Sequence, residues 1–345
     1  MANGYLALDL VALENRFQLL ERRVERQALR ETQDPFDLTV TEFTERYRLT
    51  PELMSNLVDL LAPHLQDTRM TGLSVEKQIL STVRFYATGC FQRPVGEQWG
   101  IIMSQPSVSR CIHRVTDAIN EHIFRQWIQF PMTMEARQQA RQQFQTASQP
   151  FDGAIGAIDC THVAILAPKQ GIQICDPNLK ILNVNARYPG ARHDAYIWSA
   201  SAARSVMERA YQRGDRKTFL IGDQGYPLEP WLLTPLPHEP VGNPRFRHNE
   251  ALCSARNCIE RLFGVLKSTW RCLSKHRVLQ YDPGTAGRIV NVCAVLHNMR
   301  INHRLLNDDV LDDVIHEEDD VNHADEYDFH PDANIRPLHV ASKIS

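Results

Sequence analysis

The residue with the clearest chemical potential in this sequence is Asp159. It lies inside the apolar, β-branched run FDGAIGAIDCTHVAIL, residues 151–166. Such a run is typical of a strand that is buried on both faces. A bare carboxylate in that environment is strongly destabilising, so Asp159 requires a cation, a donor network or a metal as its partner.

Three further acids follow at the ends of predicted elements. Asp194 opens a predicted helix that runs to about Gln212, and Asp223 closes the short strand of TFLIGDQGYPL. Glu260 lies on the long helix predicted from NEALCSARNCIERLFGVLKSTWRCL. Because strand ends gather at one edge of an open α/β sheet, Asp159 and Asp223 are expected on neighbouring strands, with Glu260 packed across them.

This set of acids favours one class of chemistry. Carboxylate oxygens without a histidine or thiolate cluster favour Mg²⁺ or Mn²⁺. Two such ions about 4 Å apart activate water and stabilise the leaving oxygen in phosphodiester cleavage. The pattern therefore predicts a divalent-metal site built from Asp159, Asp194, Asp223 and Glu260.

Each acid also has a purely structural interpretation. Asp194 could be a helix N-cap, and Asp223 could be a turn aspartate. Glu260 could pair with Arg256, one helical turn earlier, on a solvated face. Asp159 is the hardest to explain structurally, because an acid at the centre of a strand has no inexpensive role in the fold.

Length and composition indicate two domains with real hydrophobic cores. The chain has 345 residues, of which 43% are hydrophobic, and roughly 150 residues form one domain. No apolar stretch approaches the ~20 residues of a membrane span. The N-terminus lacks a basic region before its apolar residues, so a signal peptide is not expected. The eight cysteines form no CxxC motif, which predicts reduced core cysteines in a cytosolic or nuclear protein.

The first 150 residues are predicted to be helical. Residues 5–33 carry apolar residues at helical spacing with Arg and Glu between them, which predicts one amphipathic helix. This helix either packs on its own domain or forms a dimerising coiled coil. The following region reads as helices separated at Pro51, Pro63 and Gly72.

Residues 73–119 match a helix-turn-helix pattern. A first helix is expected to end near Tyr86, a short helix covers residues 95–99, and Ser104 caps a third helix with Pro106 in its first turn. The residues at the head of that third helix are the candidates for contacting DNA: Gln105, Ser107, Ser109, Arg110 and Arg114. The alternative is three packed helices with solvated polar ends.

The charge is distributed unevenly along the chain. Residues 305–345 contain twelve acids against Arg336 and Lys343, which leaves 36 basic and 29 acidic residues in residues 1–304. The basic body permits a polyanionic partner. Self-repulsion in the acidic tail predicts disorder there.

Five motifs, taken together and in order, resemble the PIF/Harbinger transposases, and most closely the transposase-derived nucleases of animals. They are YATGCFQRPVGEQWG…SQPSVSRCI, GAIDCTHVAILAP, PGARHDAYIW, LIGDQGYPL and RNCIERLFGVLKSTWRCL followed by VLHN. The resemblance covers residues 73–302.

This resemblance implies an RNase H-like fold and an Asp-Asp-Glu nuclease that uses a divalent metal to cut DNA. It implies metal ligands at Asp159, Asp194, Asp223 and Glu260, and we assign Asp159, Asp223 and Glu260 as catalytic. Whether Asp194 or Asp223 is the second catalytic acid stays open. A separate Myb/SANT-like partner that supplies DNA targeting, and a location in nucleus and cytoplasm, are also implied, and a homo-oligomer is possible on the N-terminal pattern.

One departure from the family leaves a second function open. Between the first strand and ICDPN the family has a longer segment with an Asn-Arg-Lys-Gly-Tyr-His-type motif, where this chain has only KQGIQ. The second strand is therefore expected to be shortened, with unpaired backbone groups on its neighbours. The chain is then either an active nuclease or a catalytically inactive DNA- or protein-binding adaptor.

The expected architecture is an α/β nuclease domain preceded by an all-α region. The predicted segments are an amphipathic helix (1–34), a helical region with the helix-turn-helix (35–150), an RNase H-like domain (151–305) and a disordered acidic tail (306–345).

Overall fold

The computed structural model describes residues 2–66, 73–165, 170–188, 193–237, 240–305 and 336–342. The chain forms two compact units, Met1–Val115 and Thr116–Ser345. The division falls earlier than the boundary predicted near Pro150. The reason is that the helices just before Pro150 pack with the second unit: Asn298 donates to the Trp127 carbonyl at 2.9 Å, and Arg137 pairs with Asp215 at 2.7 Å.

The first unit is helical. Its elements are α1 (Ala2–Thr32), α2 (Val40–Tyr47), α3 (Pro51–Leu65), α4 (Val75–Thr88), α5 (Gln92–Gly96) and α6 (Gln105–Ala118). The starts of α2, α3 and α4 are set by hydroxyl caps at Thr39, Thr50 and Ser74, each accepting from a backbone N–H in the first turn. Thr39 and Glu42 form a full capping box.

The three helices α4, α5 and α6 occupy the segment that matches the helix-turn-helix pattern. The short α5 lies three residues earlier than the predicted 95–99. Gly96 is required where α5 approaches the chain entering α6, because a Cβ there would lie 2.5 Å from the Met103 carbonyl oxygen. The hydrophobic faces of α4 and α6 are buried, as Ile79, Val83 and Val108 illustrate.

The second unit combines a mixed sheet with helices. Its helices are α7 (Phe124–Trp127), α8 (Met134–Gln145), α9 (Asp194–Ser199), α10 (Ala202–Gln212), α11 (Pro244–Thr269) and α12 (Pro283–Asn302). Its strands are β1 (Ala154–Ile165), β2 (Gln170–Cys175), β3 (Ile181–Tyr188), β4 (Phe219–Ile221), β5 (Leu232–Leu233) and β6 (Arg336–Ser342). The single helix predicted from Asp194 to Gln212 is two helices, because Ser201 caps α10 by accepting from the Arg204 N–H.

The central strand β1 is flanked by β4, which runs parallel to it, and by β2, which runs antiparallel. β3 pairs antiparallel with β2, and β5 pairs parallel with β4. The two apolar runs are therefore neighbouring strands, as predicted, and the end of β4, Ile221, lies beside Ala157, two residues before Asp159. The result is a mixed α/β sheet with Asp159 close to its centre.

The shortened second strand pairs with only part of β1. Its register covers Ala157 to Cys160 of β1. The remaining half of β1, from Cys160 to Ile165, pairs antiparallel with β6. The backbone groups expected to be unpaired on β1 therefore have a partner from the C-terminal end of the chain.

The tail differs at its end from the predicted disorder, since Arg336–Ser342 forms β6. The twelve acids of the tail all precede Arg336, so the charge repulsion that opposes ordering does not extend into this strand. The acidic stretch itself lies outside the described residues.

Two faces of the sheet have different contents. One face packs an apolar core that includes Ile158, Ile174, Trp198 and Leu220. The opposite face is covered by α11, whose Cys258 lies 3.8 Å from Cys175, sulfur to sulfur. All eight cysteines are free, and five of them are buried. Among the described helices, none combines the length and apolarity needed to cross a membrane.

Candidate functional site

Asp159 lies on β1 between Ile158 and Cys160, with 16% of its side chain exposed. One carboxylate oxygen, Oδ1, accepts from the Cys160 N–H at 2.7 Å. The other, Oδ2, accepts from Nη1 of Arg256 on α11 at 2.8 Å. Burial raises the pKa of Asp159 to about 6, against the opposing effect of the Arg256 charge. The partner that a buried strand carboxylate requires is thus an arginine.

Asp194 is the first residue of α9, and the N-cap position belongs to His193. The N-cap interpretation of Asp194 is therefore wrong for this chain. Its carboxylate instead accepts from the Cys160 thiol, with Sγ and Oδ1 2.6 Å apart. The start of α9 thus brings Asp194 to the face of β1 that carries Cys160.

Asp223 follows β4 by two residues and closes a turn. Its Oδ1 accepts from the Gly225 N–H at 2.9 Å, so the turn interpretation holds. Burial raises the pKa of this carboxyl, and the charges of Asp194 and Glu260 raise it further while Arg256 lowers it. Asp223 therefore both stabilises this turn and belongs to the group of neighbouring acids.

The carboxylates of Asp159, Asp194 and Asp223 converge at the edge of the sheet. One oxygen from each lies within 4.8 Å of the others. Burial, with a smaller contribution from the neighbouring acids, raises the pKa of Asp159 and of Asp223. Three hard oxygen ligands at this spacing fit Mg²⁺ or Mn²⁺.

Glu260 lies outside this trio, and the structure connects it through Arg256. The guanidinium Nη2 donates to Glu260 Oε1 one turn along α11, while Nη1 donates to Asp159. The pairing of Glu260 with Arg256 expected from their spacing is therefore present, but on the side that faces the acids. The Glu260 side chain is 42% exposed.

Two basic residues at this site were not predicted to reach β1: Arg256 was expected only as the partner of Glu260, and Lys267 had no predicted role. Arg256 reaches Asp159, and Lys267 Nζ donates to Thr161 Oγ1 on β1 at 2.6 Å. Burial lowers the pKa of Lys267 to about 8. The signal available in the sequence was their spacing, because residues at positions 256, 260 and 267 recur on one face of a helix.

Cys160 and Tyr226 lie next to the acidic cluster and contact each other. The Cys160 sulfur lies 3.1 Å from the Tyr226 hydroxyl. Burial raises the pKa of the Cys160 thiol far above its ordinary range, so the thiol remains protonated and donates to Asp194. A neutral donor at this point orients one carboxylate without competing for its charge.

Gln173 is a buried polar residue directly opposite Asp159 on β2. Residues that face each other across antiparallel strands share one face of the sheet, with Cβ atoms ~5 Å apart. Gln173 is fully buried, and both its Oε1 and its Nε2 lack a hydrogen-bond partner among the described residues. An amide beside the acids thus has hydrogen-bonding capacity left over.

The candidate DNA-contacting residues on α6 separate into two groups. Gln105 and Arg110 are exposed, and Gln105 Nε2 donates to Gln92 Oε1 at 2.6 Å. Ser107 accepts from Arg110 at 3.2 Å, and Ser109 is half-buried. Arg114 donates to the Leu65 carbonyl at 3.0 Å, which gives this arginine a structural role at the end of α3.

Comparison with known proteins places these features in a family. Residues 158–298 match the protein-family model described as DDE superfamily endonuclease. The chain is 32% identical over 285 residues to "Putative nuclease HARBI1" of Bos taurus, covering 77% of this chain and 79% of that protein. The same protein of Rattus norvegicus is 33% identical over 286 residues, with the same coverage.

A plant relative is more distant. "Protein ALP1-like" of Arabidopsis thaliana is 24% identical over 277 residues, covering 72% of this chain and 66% of that protein. No solved structure matches the chain significantly. The four acids described above all lie within the residues that match the endonuclease model.

Proposed function

Because the chain belongs to the family of Harbinger transposase-derived nucleases, we propose that it is a divalent-metal-dependent endonuclease that hydrolyses DNA phosphodiester bonds. The observation that supports this most is the convergence of Asp159, Asp194 and Asp223 within 4.8 Å. These acids come from β1, α9 and the end of β4, so only the fold brings them together. If the three aspartates served only as helix caps or turn residues, their carboxylates would not need to converge.

The protein's acids would hold the metal in this proposal. Asp159, Asp194 and Asp223 supply the converging oxygens, and Glu260 joins them from α11 when its pairing with Arg256 is released. A divalent metal held by these residues would supply activation of water for attack on the phosphodiester and stabilisation of the leaving oxygen. Asp159, Asp223 and Glu260 are the proposed catalytic acids, with Asp194 as an additional ligand.

The basic residues of the site suit a phosphodiester substrate. Arg256 lies within reach of two of the acids, and Lys267 lies on the same helix, bonded to β1. A guanidinium and an ammonium beside a metal site bind and neutralise phosphate oxygens. We assign both residues to contact with the DNA backbone.

The fold assignment in this proposal is an RNase H-like domain. It is supported by an antiparallel β1–β2–β3 order, by β4 running parallel to β1, and by a long helix across one face. The helix-turn-helix is proposed for α4, α5 and α6, with Gln105, Ser107, Ser109 and Arg110 towards DNA. A Myb/SANT-like partner and a location in nucleus and cytoplasm complete the proposal by analogy with the family.

The second candidate function is a catalytically inactive adaptor that binds DNA or protein. It is favoured by the short β2, which pairs with β1 over only four residues, Ala157 to Cys160. It is also favoured by Arg256, whose guanidinium already neutralises two of the acids. The two functions share the fold and differ in whether the acids hold a metal.

A plasmid-nicking assay separates the two functions. Purified wild type is incubated with supercoiled plasmid and Mg²⁺ or Mn²⁺, beside Asp159→Asn and the control Asp152→Asn. Asp152 is an exposed aspartate that precedes the same strand. We expect nicking by wild type and by Asp152→Asn, and none by Asp159→Asn or in EDTA. Nicking by all three proteins, or by none, would support the adaptor.

A further inference from the structure

The first helix carries an apolar stripe that the nuclease function does not use. Leu6, Leu10, Leu13, Phe17, Leu20 and Val24 follow one another at alternating steps of four and three residues. This is the spacing of the a and d positions of a coiled coil, maintained over six consecutive positions. At 1.5 Å per residue the stripe is about 27 Å long.

The structure leaves the part of this stripe from Leu10 to Val24 in solvent. Within the described residues, Leu10, Leu13, Phe17, Leu20 and Val24 are between 58% and 66% exposed. Contact with the rest of the first unit is made at the end of α1, where Arg30 donates to the Ile102 carbonyl at 2.8 Å. The interpretation in which the apolar face packs on its own domain therefore does not hold for residues 10–24.

A contiguous row of exposed apolar side chains of this size marks an interface. Single exposed leucines are ordinary on protein surfaces, but five exposed apolar side chains at heptad spacing, from Leu10 to Val24, are not. In proteins, most of the stability of an amphipathic helix comes from packing of its apolar face. The exposed apolar face of α1 therefore requires a packing partner.

The charges beside the stripe fit a copy of the same helix. Glu14 and Glu21 border the stripe on one side, and Arg16 and Arg23 border it on the other. In coiled coils these flanking positions form ion pairs between helices and select the partner. Alongside residues 10–24 these flanking positions carry two acids and two arginines, so this surface is complementary to itself, whereas a purely acidic or basic partner would meet like charges.

The area also matches what pairing requires. Five side chains exposed to this extent, paired across two helices, would bury roughly 1,000 Å² in total, which is the size at which specific interfaces begin. We propose that α1 is a dimerisation helix whose stripe, Leu6 to Val24, pairs with the same stripe of a second copy of this chain as a two-stranded coiled coil. This proposal is independent of whether the acidic cluster cleaves DNA.

The mass of the full chain in solution tests the proposal. Light scattering coupled to gel filtration is applied to wild type and to Phe17→Glu/Leu20→Glu, which places charges inside the stripe. The matched control is Val11→Glu/Leu19→Glu, because Val11 and Leu19 are equally exposed on the same helix but lie off the stripe. Both variants carry substitutions only at exposed positions, so folding should be retained and is checked by circular dichroism.

We expect wild type and the control to have twice the chain mass of 39.5 kDa, and the stripe variant to have the mass of one chain. A monomeric wild type would overturn the proposal. A stripe variant that remains dimeric would assign dimerisation to another surface. Equal dissociation of the control would show that added charge, and not the stripe, controls association.

Discussion

The Arg256 guanidinium lies 2.8 Å from the Asp159 carboxylate, although 97 residues separate them in the chain. The same guanidinium bonds to Glu260. An arginine therefore occupies the place of a cation among acids that are suited to a divalent metal. Whichever cation is present, the acids need positive charge to remain ionised in a partly buried site.

Removing this arginine should destabilise the metal-free protein. We expect Arg256→Met to lower the free energy of unfolding in EDTA by about 3 kcal/mol, because it leaves a buried carboxylate without its partner. The control Arg261→Met, at an exposed position on the same helix, should change it by less than about 0.5 kcal/mol. Urea titration measures both.

Manganese should reverse part of that loss. An ion that binds only the folded state stabilises it by RT ln(1 + [M]/Kd), and in the variant no guanidinium competes for the acids. Millimolar Mn²⁺ should therefore raise the melting temperature of Arg256→Met more than that of wild type, and should leave Asp159→Asn unchanged. An equal lack of response in all three proteins would argue against a metal site.

The raised pKa of Asp159 makes stability depend on pH in a defined direction. Burial raises this pKa from an ordinary value of 3.8 to about 6, so the folded protein favours the protonated carboxyl. That contribution is fully present below about pH 4 and is lost as the pH rises through about 6. In EDTA, Asp159→Asn should therefore gain about 3 kcal/mol relative to wild type across this interval.

Asp152 serves as a control, because its pKa is shifted in the opposite direction from that of Asp159. Hydrogen bonds from Gln145 and Arg141 lower the pKa of Asp152 below its ordinary value. Its contribution is present at higher pH and is lost as the pH falls below about 4. The stability of Asp152→Asn relative to wild type should thus be constant between pH 4 and 6. A parallel change in both variants would show that Asp159 is not the titrating group.

The convergence of the acids was predictable because it depends on elements that can be read locally. A buried apolar run predicts β1, and a second run predicts β4 beside it. The ends of such strands meet at one edge of a sheet. Asp159 and Asp223 follow from that geometry, and the i, i+4 spacing predicted the contact between Glu260 and Arg256.

What could not be predicted depends on pairing between distant parts of the chain. The side chain of Arg256 could have faced solvent, and only the packing of α11 on β1 directs it to Asp159. The pairing of β6 with β1 joins residues that are separated by more than 170 positions, with no periodic signal to indicate it. The break between α9 and α10 at Ser201 was missed because the apolar pattern continues across it.

DNA binding by α6 should depend on Arg110 and not on Arg114. Arg110 is exposed, and its loss should lower affinity and reduce the salt slope by about 1 if it contacts a phosphate. Arg114 bonds to the Leu65 carbonyl, so Arg114→Ala should instead lower the free energy of unfolding by about 1–2 kcal/mol.

Fluorescence anisotropy with a short duplex at several salt concentrations measures the first effect. Arg22→Ala, an exposed arginine on α1, controls for loss of charge alone. Equal weakening by Arg22→Ala and Arg110→Ala would assign the effect to net charge, and α4 to α6 would then be three packed helices with solvated ends.

The pairing of β6 with the outer half of β1 should protect the backbone of residues 160–165. In the register found here, Thr161 faces Val340 and Val163 faces Leu338, so β6 supplies the partners that the short β2 does not reach. Deleting residues 336–345 should expose this half of β1, because an unpaired strand edge exchanges its amides with solvent. Hydrogen exchange read by mass spectrometry should therefore show faster exchange over residues 160–165 in the truncated protein than in the full chain.

Exchange over β4, which pairs with the other half of β1, should not change. Deletion of residues 343–345 alone is the matched control, since it leaves β6 whole. If both truncations leave residues 160–165 as protected as in the full chain, β6 is not what completes the sheet, and the shortened β2 must be compensated elsewhere.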